Sequence, residues 1–277
     1  MNSSVAPHHL DASGAGRLIL NADDWGLDRQ TTDRIWECAI QRRISSVSAM
    51  VFMEDSERAA TLGQEAGIDA GLHLNLTTPF SAKNCSARLI EQHRQIVAGI
   101  RRYRFSRALF HPGLRRQFEY VVAAQLEEFQ RLYGAPAARV DGHHHIHLCP
   151  NVVLMGLLPA GIIVRRNFSF RRGEKSAINR LYRSAVDRVL ARRHVLADYF
   201  FSLAPLEPLT RLQEIISVAN RFSVEVETHP AILEEYNFLT GDSMPDLIKG
   251  VRMALPAPAG SSPANWPGLQ TTPGMRS

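Results

Sequence analysis

From residue 17 onward the chain alternates short apolar runs with longer stretches of helical period. Residues 17–22 (RLILNA) predict a buried strand, after which Asp28 stands where a helix N-cap belongs, with Ile35, Trp36, Ala39 and Ile40 on one helix face. Residues 46–51 predict a second strand. Asp55 is the candidate cap of the next helix, whose apolar positions Ala59, Leu62 and Ala66 line up before Gly67 ends it. A third strand is predicted over 68–76. Residues 79–112 break this rhythm with mixed polarity and several arginines, which predicts an insertion forming a lid or wall over a site. A long helix follows, with Phe118, Val122, Leu126, Phe129 and Tyr133 on one face and Gly134 as its stop. Strands are then predicted at 138–142, 161–165, 199–203 and 223–228, with helices after Asn151 and over about 175–193 and 207–221.

Seven strands alternating with helices imply an α/β protein with a parallel sheet. At this length a deformed (β/α) barrel, TIM-barrel-like, is favoured over an open doubly wound sheet, and no GxGxxG follows the first strand to suggest a dinucleotide fold. The expected organisation is a disordered leader over 1–16, the barrel over 17–253 with its insertion near 79–112, and a disordered Pro/Gly-rich tail over 254–277.

Composition narrows the class. The chain has 277 residues, 45% of them hydrophobic and 21% charged, which suits a globular enzyme with a substantial core. Cys38, Cys85 and Cys149 form no CxxC pair, so a reducing compartment is expected. The first residues have neither a basic n-region nor an apolar h-region, and no window approaches the roughly 18 apolar residues of a membrane span. A cytoplasmic location follows as the expectation. The net charge of +5 is spread over short pairs such as Arg42-Arg43, Arg101-Arg102, Arg115-Arg116 and Arg192-Arg193, which read as exposed helix faces or ends. No nucleic-acid-binding motif accompanies them, so no nucleic-acid partner is expected.

The chemistry sits at the ends of four strands. The first runs into Asp23-Asp24, followed by Trp25 and Gly26. In the third, alternation sets Ile68, Ala70, Leu72, Leu74 and Leu76 on one face and Asp69, Gly71, His73 and Asn75 on the other. The fourth leads into DGHHHIH, and if it stays extended Asp141, His143, His145 and His147 share a face opposite Val140. The last sets Glu225, Glu227 and His229 against Val224 and Val226. Buried parallel strands are normally apolar on both faces. One polar parity near the C-terminal strand ends therefore implies a charged pocket, where barrel active sites lie. An Asp-Asp pair alone is ordinary at a helix N-terminus, and a lone His such as His73 is ordinary in a core. Four histidines within five residues are not. Carboxylates and imidazoles together are the ligand types of zinc and similar divalent ions, which lower the pKa of bound water and polarise carbonyls.

The stretches NADDWGL at 21–27, GLHLNLT at 71–77, VDGHHHIHLCP at 140–150 and VETHP at 226–230 resemble, in content and order, the YdjC-like carbohydrate deacetylases, also called the ChbG family. The resemblance implies a deformed (β/α) barrel and one divalent metal ion, Mg2+ or Zn2+, held by Asp24, His73 and His143. It further implies Asp23 as the general base that activates water. His229 is the candidate for protonating the leaving nitrogen, and His145 for supporting the site. Arg165 is expected to hold Asp23 or touch substrate, and Asn75 to bind substrate or back the ligands. The family's usual Phe after the double Asp is replaced by Trp25, read as a broader surface for a sugar face.

The expected function is thus metal-dependent removal of acetyl groups from an N-acetylated amino sugar. The expected partners are a small N-acetylated saccharide or glycolipid head group, with a homodimer as an option. Two rival readings stand beside it: a metallophosphoesterase using the same kind of barrel site, and a sugar-binding module without catalysis.

Overall fold

The computed structural model describes residues 16–102, 106–170 and 175–253, and the expected tail and all of the expected leader but Gly16 fall outside them. Seven strands are seen among the described residues: β1 (Arg17–Trp25), β2 (Ser46–Ala49), β3 (Ala70–Leu74), β4 (Arg139–Gly142), β5 (Ile163–Val164), β6 (Tyr199–Ser202) and β7 (Ser223–Thr228). All pair in parallel, in the order β5-β4-β3-β2-β1-β7-β6. This is the cyclic order of a (β/α) barrel, and the deformation is an opening of the ladder between β5 and β6. The gap is crossed by an isolated bridge from Ile163 to Val195 and by the Ser169 amide donating to Phe200 O at 2.8 Å.

Helices follow the strands: α1 (Arg29–Ile40), α2 (Ser56–Ala66), α3 (Ala87–Arg101), α4 (Arg115–Tyr133), α5 (Pro150–Met155), α6 (Ala177–Leu190), α7 (Leu209–Ala219), α8 (Leu233–Thr240) and α9 (Ser243–Leu247). Asp28 caps α1 as expected, its Oδ1 accepting from the Thr31 amide at 2.7 Å. Asp55 stands at the cap position of α2 but makes no cap bond, because its carboxylate is taken by Arg58 Nε at 3.0 Å. Gly67 and Gly134 end their helices in the left-handed conformation, φ 64° and 73°.

The 79–112 stretch is more regular than its pattern suggested. It contains α3, whose Leu89, His93, Ile96 and Ile100 are buried at helical spacing, packed beside α4. The histidine within that stripe is what hid the helix: His93 is 3% exposed, with its ring 4.2 Å from that of Phe80.

The apolar parity of the strands builds the layer between sheet and helices, with Leu18, Leu20, Leu72, Leu74, Val140, Val224 and Val226 all buried. The other parity is buried too, yet polar. Near the base of the sheet Arg139 pairs with Asp69 and donates to Val47 O, while higher up Asp23, His73, Asp141, Arg165, Glu225 and Glu227 converge. Charges enclosed in this way persist only when paired.

Candidate metal centre at the strand ends

Asp23 and Asp24 reach the same pocket because β1 is irregular there. Its register with β2 shifts between Ala22 and Trp25, and Asp24 adopts φ 68°. Asp tolerates the left-handed region better than most residues, and that one twisted position swings two neighbouring carboxylates to the same side. The same twist turns Trp25 away. Trp25 is fully buried, its indole Nε1 close to Gly63 of α2, so it is a core residue and offers no surface to a sugar.

The three residues expected as ligands come together. Asp24 Oδ1 lies 2.9 Å from His143 Nδ1 and 3.3 Å from His73 Nε2. One ligand atom from each falls within 4.8 Å of the others. Asp24 Oδ1 and His73 Nε2 are buried, yet neither has an aligned hydrogen-bond partner. Two orphaned atoms aimed at one point, flanked by a second imidazole nitrogen, fit a divalent cation of the zinc or magnesium kind. A second grouping, Asp23, His73 and Asp141, shares the same imidazole.

Each imidazole is oriented from behind. His73 Nδ1 donates to Asp141 Oδ1 at 2.7 Å, which directs Nε2 to the centre, and Asp141 is itself held by Ser48 and by Arg165 Nη2 at 2.8 Å. His143 Nε2 is hydrogen-bonded to Thr78 Oγ1 at 3.1 Å, leaving Nδ1 for Asp24. Thr78 in turn is fixed by Asn75. Its Oδ1 accepts from the Thr77 and Thr78 amides at 3.1 and 2.9 Å, and its Nδ2 donates to Thr78 O at 2.7 Å. Asn75 is fully buried and lies behind His143 through Thr78.

Arg165 gathers the charge. Its guanidinium spans Asp23 Oδ2 and Oδ1 at 2.7 and 2.8 Å, and Nε reaches Glu225 Oε1 at 2.7 Å. Nη1 also lies 3.3 Å from Glu227 Oε2. At 2% exposure Arg165 serves Asp23 and leaves nothing for substrate. Burial works against ionisation of Asp23, but Arg165 and His73 more than offset it and lower its pKa. Burial works against ionisation of Asp24 too, but the close approach of His143 and His73 outweighs it and holds its pKa well below the usual range. Burial likewise opposes a charge on His73, yet Asp23 and Asp141 raise its pKa well above that of free histidine. Bringing a cation to Nε2 therefore displaces a proton. Glu227 is driven the other way: burial, then the Asp23 charge, raise its pKa well above that of a free carboxyl.

The histidine run does not stay extended. β4 stops at Gly142, and His143–Leu148 folds into tight turns in which His144 and His145 both take φ 55°. The four alternate residues consequently do not share a face. His145 turns toward Phe168, ring centroids 4.7 Å apart, with Nε2 3.7 Å from Glu227 Oε1. His147 is buried and donates from Nε2 to Arg165 O at 2.9 Å, anchoring the residue that anchors Asp23. His229 sits at the mouth, its side chain 31% exposed and Nε2 3.9 Å from Asp23 Oδ2. Glu235 holds it there, accepting from the His229 amide at 2.9 Å and Thr228 Oγ1 at 2.7 Å.

Sequence reasoning placed Asp141 on the polar face without giving it a role, and did not single out Thr78 and Glu235. Asp141 had a signal, its shared parity with His143 in VDGH. Thr78 and Glu235 lie in a loop and a helix with none.

A parallel barrel whose strand ends hold a buried Asp/His cluster is the architecture of barrel enzymes with a metal-competent centre. The chain belongs to the YdjC-like protein family, whose sequence profile matches residues 17–250. It is 31% identical over 141 residues to a carbohydrate deacetylase of Mus musculus, covering 49% of this chain and 44% of that one. A chitooligosaccharide deacetylase of Serratia marcescens matches at 31% over 142 residues, 49% of this chain and 52% of the relative. The chain thus spans about half the length of these two relatives. A carbohydrate deacetylase of Brevibacillus brevis matches at 27% over 231 residues, covering 82% and 86%. Among solved structures, a protein of Enterococcus faecalis, described as a candidate for cellobiose-phosphate cleavage, superposes with TM-score 0.62 at 15% identity. That superposition covers 87% of this chain and 97% of the other, and shows the fold.

Proposed function

We propose that this protein is a metal-dependent hydrolase that removes the acetyl group from an N-acetylated amino sugar, in a small saccharide or a glycolipid head group. The observation that carries the reading is the convergence of Asp24 Oδ1, His73 Nε2 and His143 Nδ1 on one point beside a carboxylate, Asp23, that Arg165 keeps ionised. The names of the relatives, carbohydrate and chitooligosaccharide deacetylases, supply the substrate class.

Asp24, His73 and His143 would hold the ion. A divalent ion there supplies Lewis-acid polarisation of the acetyl carbonyl and acidifies water. Asp23 accepts a proton from the attacking water, its Oδ2 facing the ligand side 3.9 Å from His73 Nε2. As the carbonyl carbon gains oxygen and the C–N bond breaks, His229 at the mouth gives a proton to the departing amine. Arg165 keeps Asp23 in place and charged between turnovers.

The test is acetate release from a panel of acetylated chitooligosaccharides, with and without chelator, alongside a generic phosphate ester. Chelator-sensitive acetate release is the expected result. Turnover of the phosphate ester without acetate, or tight sugar binding with no reaction, would replace this reading by one of its rivals.

A further inference from the structure

Helix α6 carries an apolar stripe that faces away from the body. In a barrel the apolar stripe of each helix faces the sheet. Here Ile178, Leu181 and Tyr182 are 82%, 65% and 45% exposed, and Ala185, one turn on from Leu181, is exposed with them. The side turned to the body mixes polar residues with Val186 and Leu190, which pack into the core. Asp187 Oδ1 accepts from the Asn167 amide and Nδ2 at 3.0 and 2.8 Å, and its Oδ2 accepts from Arg166 Nη2 at 3.0 Å. Arg183 lies over the Phe170 ring at 5.0 Å. Leu190 is the one residue of the helix that is fully buried. An apolar stripe this exposed marks an interaction surface.

The charges around the stripe say what kind. Between Lys175 and Arg193 the sequence has six basic residues and a single acid, Asp187, which is turned inward and paired with Arg166. Lys175, Arg188, Arg192 and Arg193 are exposed at the two ends of the stripe and along its edge. Apolar residues flanked by long basic side chains form the pattern of a helix lying in a membrane interface, where the apolar face enters the acyl boundary and the cations meet anionic head groups. No helix among the described residues is long and apolar enough to cross a membrane, so the attachment is to a surface. On the same side of the molecule a cavity of about 610 Å³ is lined by Phe168, Phe170, Lys175, Tyr199 and Phe201. It opens beside the residues that lead into α6, where an amphiphile leaving a bilayer would meet it.

We propose that α6 docks the protein on an anionic lipid surface through Ile178, Leu181 and Tyr182, with Lys175, Arg188 and Arg192 binding the head groups. The inference is independent of the reaction at the strand ends. Its test is co-sedimentation of the full chain with vesicles of mixed phosphatidylcholine and phosphatidylglycerol, against vesicles of phosphatidylcholine alone. The expected result is salt-sensitive binding to the anionic vesicles, weakened at least about tenfold by Ile178→Glu with Leu181→Glu and by Arg188→Glu with Arg192→Glu. Both pairs are exposed, so melting temperature should stay unchanged, which separates lost docking from lost folding. Absence of binding by the unaltered chain, or equal binding by the variants, overturns the proposal. So does a dimer in solution that Leu181→Glu converts to monomer without any vesicle binding, since the stripe would then belong to a second copy.

Discussion

Arg165 and Asp23, 142 positions apart in the chain, meet as a two-point pair in which Nη1 and Nη2 donate to Oδ2 and Oδ1 at 2.7 and 2.8 Å. Both side chains are at most 2% exposed. The pair sets the charge state of the whole pocket, because the same guanidinium also faces Asp141, Glu225 and Glu227. Arg165→Met should therefore lower stability by about 3–5 kcal/mol, the usual cost of leaving buried carboxylates without their cation. Urea unfolding at neutral pH measures it. A loss below about 1 kcal/mol would mean that the carboxylates neutralise one another by sharing protons.

The adjacent aspartates should fail differently. His73→Ala and His143→Ala are expected to lose the divalent ion, read by elemental analysis of the purified protein. Asp23→Asn should keep the ion while acetate release falls by roughly 10² to 10⁴, the usual share of a positioned proton acceptor. Asp24→Asn should weaken metal binding and be partly rescued by excess metal. Metal lost from Asp23→Asn but kept by Asp24→Asn would exchange their roles.

Asp141 is expected to act through His73. Asp141→Asn keeps the shape but weakens the bond that holds the proton on His73 Nδ1, so metal affinity should drop by about 10- to 100-fold. A competitive chelator titration gives the number directly. Unchanged affinity would show that packing alone orients the imidazole.

Acid sensitivity should arise partly outside the ligand set. His93, buried against Phe80, has its pKa lowered to about 4, burial outweighing a hydrogen bond to the Asn75 backbone. The unfolded chain binds that proton near pH 6.5, so between pH 6.5 and 4 the unfolded state holds more protons and stability falls as pH falls. One such group costs about 2 kcal/mol between pH 7 and 5. His93→Leu should remove that share of the loss in unfolding titrations at the two pH values. An unaltered slope would place the acid sensitivity elsewhere, for instance at His147, lowered to about 4 by the same effect of burial.

The sequence by itself determined the strands, their number and their approximate limits, because period-two and helical patterns are local and each strand carries its own. It also marked the polar parity at four strand ends, since residue type and alternation suffice to find groups that a core would reject, while the family resemblance picked Asp24, His73 and His143 from among them. The tertiary structure decided the rest, where distant parts of the chain meet. Whether Asp23 and Asp24 point the same way depends on one left-handed residue, whose strain must be offset by the packing of Trp25 beneath it. Alternation placed His145 and His147 on the ligand face, but the two left-handed histidines at 144 and 145 redirect them, a choice that no side-chain pattern records. Arg165 became the partner of four carboxylates only once strands from both halves of the chain were brought round one axis. Helix α6 shows the same limit from outside. Its helical pattern is local, but the face turned to the body meets partners from elsewhere in the chain, Asp187 on Arg166 and Asn167 beside Val186 and Leu190 on the core.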